Sequence, residues 1–236
     1  MIDLHAHILP GFDDGVRSLE EARALARTAA AEGVTAIAAT PHVRDDYPTA
    51  PDAMERGVAS LRADFAAEGI AVDVVCGGEV SIERLWELPA ADVARFTYAS
   101  GGRYLLVEFP HRGWPPLVRE TLADLRAKGI RAVLAHPERN AEVQARPESL
   151  APLVRDGALV QLTAGSAAGT FGPGPRRAVE RLVELDLAHL LSSDLHGPAV
   201  PGRTGIAAGA AALGDADLAR RLTVEVPAAI LAGEDV

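Results

Sequence analysis

The chain has a single cysteine, Cys76, and a single lysine, Lys128, in 236 residues. One thiol leaves no intrachain disulfide and no thiolate cage for zinc. Aromatic residues make up only 4% of the sequence, so the core must be built mainly from Ala, Leu and Val. Positive charge is also short: the formal net charge is -10, which argues against binding a nucleic-acid backbone. An anionic substrate stays open, because bound cations invert the local field. No apolar run approaches the ~18–20 residues of a membrane span. Asp3 and His5 stand where a signal peptide would carry Lys or Arg. These absences lead to the expectation of a cytoplasmic protein with no membrane span, folded as one domain over residues 1–236.

What is present begins with Met1-Ile2-Asp3-Leu4-His5-Ala6-His7. A short apolar strand ends there in two histidines two positions apart, which a strand projects to one side. The pattern then repeats. Ser18 with Glu21 reads as a capping box opening a helix to Ala31, with Gly33 as its stop. Val34–Thr40 reads as a buried strand, and His42 as the start of a polar loop. Pro51–Glu68 reads as a helix and Ile70–Cys76 as the third strand, followed by Gly77-Gly78-Glu79. Residues 82–96 read as partly helical. Tyr104–Val107 ends at Glu108, and a helix follows over Pro115–Lys128. Ile130–Ala135 ends in His136-Pro137-Glu138-Arg139-Asn140. A helix at Glu148–Arg155, a strand at Ala158–Thr163, a loop over residues 164–174 and a helix at Pro175–Leu185 come next. The seventh strand, Leu187–Leu191, ends in Ser192-Ser193-Asp194-Leu195-His196.

Strands alternating with helices imply a parallel sheet with crossovers. Six of the seven strands end in His, Asp or Glu, whereas a doubly wound sheet would offer one or two such ends at its switch point. A closed α/β barrel, (β/α)7, brings every strand end to one rim. His5, His7, His42, Glu79, Glu108, His136, Asp194 and His196 would converge there, with Asp14 in reach from the first loop and Asp13 equally placed by sequence. His189 reads as a core or edge histidine and His111 as a loop residue near the mouth. Nine imidazole and carboxylate donors exceed the needs of one tetrahedral ion. Two or three divalent ions, with manganese, iron or zinc as candidates, would balance the buried carboxylates.

The run DLHAHILPGFDDG, followed by ATPH, GGEV, LVEF, AHPERN and SSDLH, resembles the PHP (polymerase and histidinol phosphatase) superfamily. More narrowly, it is similar to the bacterial manganese-dependent protein-tyrosine phosphatases that accompany capsule or exopolysaccharide clusters. The likeness runs from Met1 to about Gly205, with Ala6 and Leu195 as departures that remove no ligand. It implies a distorted TIM-like PHP barrel and a trinuclear site on His5, His7, Asp14, His42, Glu79, Glu108, His136, Asp194 and His196, with manganese foremost. It also implies that Arg139, and an arginine after SDLH matching Arg203, hold the phosphate. The partner implied is a phosphotyrosine protein such as a tyrosine-kinase tail.

Hydroxide between two divalent ions is the expected nucleophile. Cysteine-based phosphatase chemistry is excluded, because the arginine required six positions beyond Cys76 is Ile82. An amidohydrolase needs a barrel lysine, and Lys128 stands instead at a helix end beside Gly129. The principal alternative is a small-molecule phosphatase of the histidinol-phosphate type on the same site. A binding module that kept the fold is disfavoured by the complete ligand set.

Overall fold

A computed structural model describes residues 1–197 and 204–236. Strand β1 (Ile2–Ala6) leads through a loop into helix α1 (Leu19–Ala31). Strands β2 (Ala36–Ala39), β3 (His42–Arg44) and β4 (Tyr47–Pro48) precede α2 (Pro51–Ala67). Strands β5 (Asp73–Cys76) and β6 (Glu79–Ser81) are followed by α3 (Ala90–Arg95) and β7 (Tyr104–Glu108). Helix α4 (Val118–Ala127) joins β7 to β8 (Arg131–Ala135), and α5 (Ala141–Ala145) and α6 (Ala151–Arg155) join β8 to β9 (Leu159–Thr163). Helices α7 (Ala164–Ala167) and α8 (Pro173–Glu184) reach β10 (Leu190–Ser192). Helices α9 (Ile206–Ala212), α10 (Ala216–Arg220) and α11 (Val226–Ala232) follow. None of the helices among the described residues is long and apolar enough to cross a membrane.

The pairing is parallel throughout, except for the short β3–β4 hairpin. Hydrogen-bonded order runs β1-β2-β5 in one sheet and β10-β9-β8-β7-β6-β3-β4 in the other. Two barrel staves are each broken in the middle. Thr40-Pro41 separates β2 from β3, since proline removes a ladder donor, and Gly77-Gly78 separates β5 from β6. Counting each broken stave once gives seven, and a bridge between Ala6 and Leu195 closes the ring. The expected (β/α)7 barrel is therefore the architecture, with two corrections. His42 starts a strand rather than a loop, because β3 resumes pairing with β6 beyond the proline. Residues 164–174 contain a helical turn, α7, rather than loop alone.

The capping reading of α1 holds at its first contact: Ser18 Oγ accepts the Glu21 N–H at 3.2 Å. Glu21, however, returns to the Arg17 N–H at 2.7 Å instead of to the cap residue. Continuous apolar stretches such as Tyr104–Val107 are buried on both faces, as parallel strands between a barrel interior and a helix layer require. By the period of two, Tyr104, Leu106 and Glu108 share one face, as do Leu159, Gln161 and Thr163. The apolar members of these rows pack with Leu4, Ala38, Val75, Val133 and Leu190. The polar members continue upward to the C-terminal rim.

The seam between β1 and β10 is held by few bonds. The Asp194 N–H donates to His5 O and the His7 N–H to Leu195 O, each at 2.8 Å. Asp3, 2% exposed, accepts the N–H of Ser193 at 3.0 Å and of His5 at 3.3 Å through one carboxylate oxygen. Asp3→Ala would strand two buried donors, at about 1–3 kcal/mol each. Chemical denaturation should then show a loss of about 2–4 kcal/mol. An unchanged midpoint would mean that the seam is held elsewhere.

Candidate functional site

All nine residues expected at the rim do converge, in four overlapping groups: His7, Asp14, His42 and His196; His5, Glu79 and His136; His5, His7 and Asp194; and His42, Glu79 and Glu108. Eight of them sit at or just beyond a strand terminus, and Asp14 sits on the loop after β1. β1 carries His5 and delivers His7, the start of β3 carries His42, the start of β6 Glu79, and the end of β7 Glu108. His136 follows β8, and Asp194 and His196 follow β10. His136 and Asp194 have φ of +38° and +54°, a left-handed backbone that non-glycine residues adopt only when their surroundings enforce it. Both turn their side chains off the strand direction and into the cluster.

The densest point lies between His5 and His7. Their Nε2 atoms are 3.3 Å apart. Glu79 Oε2 lies 3.4 Å from each of them, and so does Asp194 Oδ1. The opposite ring nitrogens face oxygen: His5 Nδ1 is 3.0 Å from Gln161 Oε1, and His7 Nδ1 is 2.7 Å from Asp13 Oδ2. With the Nδ1 protons directed there, both Nε2 lone pairs point at one another and at two carboxylates. Donor separations of this size suit ligands ~2.1 Å from one ion. Nearby, His42 Nδ1 is 2.8 Å from Glu79 Oε2, yet neither atom finds a hydrogen-bond partner among the described residues. The donor set is thus built for cations, and it fits divalent metals held by nitrogen and oxygen.

Protonation follows the same crowding. Burial works against a charge on His7, but its contacts with Asp13, Asp194 and Glu79 hold it well above the ordinary histidine value. His5 is raised too: burial opposes, and the charges of Glu79 and Asp194 prevail. Burial pushes His136 down to about 4, against the pull of Glu79. Burial, then the neighbouring charge of Glu79, pushes Glu108 up to about 7. Asp14 is lowered, chiefly by its contact with His196.

The structure separates the two aspartates that sequence could not. Asp13 Oδ2 takes His7 Nδ1 and the His42 N–H (2.9 Å), and Oδ1 takes the Gly15 N–H at 2.9 Å, so Asp13 braces the histidines from behind. Gly15 is required at that turn, because a Cβ there would stand 2.3 Å from His7 O. Asp14 Oδ1 instead faces the cluster, 3.4 Å from His196 Nε2 and 3.5 Å from His42 Nε2.

The cluster floors an open cavity of about 290 Å³, walled also by Arg44, His111 and Arg139. Arg139 Nη1 donates to Asp194 Oδ2 at 3.0 Å, and its guanidinium lies 4.7 Å over the Phe171 ring. Arg203, the other expected phosphate arginine, lies outside the described residues. His111 is at the mouth as expected, its ring 5.6 Å from that of His136. His189 is away from the site: its Nδ1 accepts the Val160 N–H at 3.2 Å. Sequence reading missed Arg44, whose Nη1 donates to Glu108 at 2.9 Å and whose guanidinium lies 5.3 Å over Tyr47. The available signal was its place two residues after His42, on the same side of a strand. Gln161 was missed as well; its signal was one amide in the otherwise apolar centre of β9.

The description of the matching family is capsular polysaccharide synthesis, CpsB/CapC, and the match covers residues 1–231. The tyrosine-protein phosphatase YwqE of Bacillus subtilis is 37% identical over 199 residues, 83% of this chain and 77% of its own. A putative tyrosine-protein phosphatase, CapC of Staphylococcus aureus, is 32% identical over 198 residues, again 83% of this chain and 77% of its own. A solved structure, described with YwqE and Streptococcus pneumoniae CpsB as unique metal-dependent tyrosine phosphatases, superposes with a TM-score of 0.89 at 32% identity, covering 100% of this chain and 96% of that one. A Listeria monocytogenes lactonase, Lmo2620, shares the fold alone, with a TM-score of 0.58 at 16% identity, over 98% of this chain and 94% of its own. On the extent of the family match and the identity to these relatives, the chain belongs to the CpsB/CapC family of capsular polysaccharide synthesis.

Proposed function

We propose that the chain is a metal-dependent protein-tyrosine phosphatase, working in the cytoplasm as one domain over residues 1–236. The observation that carries this reading is the ring of lone pairs at His5, His7, Glu79 and Asp194, extended by Asp14, His42, Glu108, His136 and His196 into room for two or three ions. Manganese is the first candidate, with iron and zinc behind it. The relatives named for tyrosine phosphatase activity supply the substrate class. A tyrosine kinase of capsule or exopolysaccharide synthesis is the partner that this family setting favours.

Divalent ions held there would lower the pKa of a water toward neutrality and offset phosphate charge. The chain's own side chains do the rest. Arg139, held by Asp194 on one side and stacked on Phe171, keeps the remainder of its fork for phosphate oxygens. Arg203 is assigned the same task on the family likeness. Glu79, in two of the four groups, would help to hold more than one ion. Tyrosine leaves as a phenolate of pKa ~10, far less basic than an alkoxide, so little proton donation is needed.

Chelation should abolish hydrolysis of an aryl phosphate, and added manganese should restore it; full activity in metal-stripped protein would sink the mechanism. Uptake of manganese should release protons and weaken as pH falls, because His5 and His7 hold protons more tightly than free imidazole. Isothermal titration in buffers of different ionisation enthalpy reads this directly. His136→Ala should cost at least about a hundredfold in kcat/KM, and Cys76→Ser should be nearly silent.

Phosphotyrosine peptides should be hydrolysed at least about tenfold better in kcat/KM than phosphoserine peptides or histidinol phosphate, or roughly 1.4 kcal/mol. Arg139→Ala should slow all three substrates while leaving metal content unchanged. Equal or faster turnover of histidinol phosphate, measured side by side, would transfer the chain to the small-molecule phosphatases.

A further inference from the structure

β9 is the one stave of the barrel that brings no histidine or carboxylate to the rim, yet its centre carries a fully buried amide, Gln161. Gln161 Nε2 is 2.7 Å from the Leu162 carbonyl and Oε1 is 3.2 Å from the His136 N–H. A carbonyl can only accept and a backbone N–H can only donate, so these two contacts fix which end of the amide is oxygen. The same Oε1 lies 3.0 Å from His5 Nδ1. That nitrogen must therefore carry the proton, which leaves the His5 Nε2 lone pair aimed at His7, Glu79 and Asp194.

We propose that Gln161 is a positioning residue of the metal site, setting the tautomer of His5 while tying down the left-handed turn at His136. The proposal rests on the metal-site reading above. One oxygen thus orders two neighbouring donors, His5 from β1 and His136 after β8, across the barrel interior. Asp13 performs the corresponding task for His7 with a carboxylate.

The test compares Gln161→Met, which keeps volume and removes the acceptor, with Gln161→Glu, which keeps an acceptor oxygen. Manganese affinity is measured by chelator competition on the full chain. The wild type is run alongside, and melting temperatures identify any variant that fails to fold. Gln161→Met should bind manganese about 10- to 100-fold more weakly, and Gln161→Glu should stay within about threefold of wild type. In the zinc-loaded protein, the slowly exchanging Nδ1 proton of His5 should be visible by histidine-labelled NMR in wild type and Gln161→Glu. It should be lost in Gln161→Met. Wild-type affinity in a folded Gln161→Met, or equal losses in both folded variants, would overturn the positioning role alone. If Gln161→Met does not fold, a loss of affinity and of the His5 proton signal in Gln161→Glu would do the same. Absence of manganese uptake by the wild type would overturn the metal-site reading, and this proposal with it.

Discussion

The structure depends on one electrostatic constraint: two imidazole nitrogens meet 3.3 Å apart in the mouth of a barrel, each 3.4 Å from one oxygen of Glu79 and one of Asp194. Such a grouping is repulsive unless positive charge fills it. Protons on His5 and His7 supply some of that charge, which is why both are raised against the effect of burial. Divalent ions supply it better, because several donors can share one ion, whereas each proton serves a single pair. The net charge of -10 is concentrated in function at this point, where four carboxylates stand among five histidines.

The fold serves that constraint through its irregularities. Regular staves would carry His42 and Glu79 along the sheet, but breaks at Thr40-Pro41 and Gly77-Gly78 restart the pairing, so that His42 stands beside Glu79 in register. At the other side of the ring, His136 and Asp194 leave their strands in left-handed conformations. Both kinds of departure cost local stability, and both occur where a side chain must be turned into the cluster. The supporting groups are buried and polar: Asp3 at the seam, Asp13 behind His7, Gln161 beneath His5. Each satisfies backbone donors and orients the residues that face the cavity, so the same atoms that stabilise the barrel also set the site.

The cavity wall divides the labour differently. Arg139 and Arg44 are each tethered to a carboxylate of the cluster and stacked against an aromatic ring. Tethering lowers the entropy lost when a fork meets a substrate anion. It also links the wall to the floor, since a change in charge on Asp194 or Glu108 is felt directly by its arginine.

Sequence by itself marked the barrel and eight of the nine residues that gather at its rim, Asp14 being the exception. Strand ends are marked by local apolar runs, and in a closed parallel barrel every such end must come to one rim, so chemistry written at the ends of separate strands can be read without coordinates. It also determined the helix start at Ser18, because capping is a contact within one turn. Other features were decided only by tertiary structure. Asp13 and Asp14 are neighbours in the chain, and their roles part only because His7 and His42 approach from different elements. Gln161 reads as an ordinary core amide until β1 and β8 are placed beside it, 156 residues from His5 in the chain. His42 reads as a loop residue until β6 offers it a partner strand. Periodicity and caps are local and survive in one dimension, whereas a hydrogen bond across a barrel depends on register, which exists only once the ring has closed.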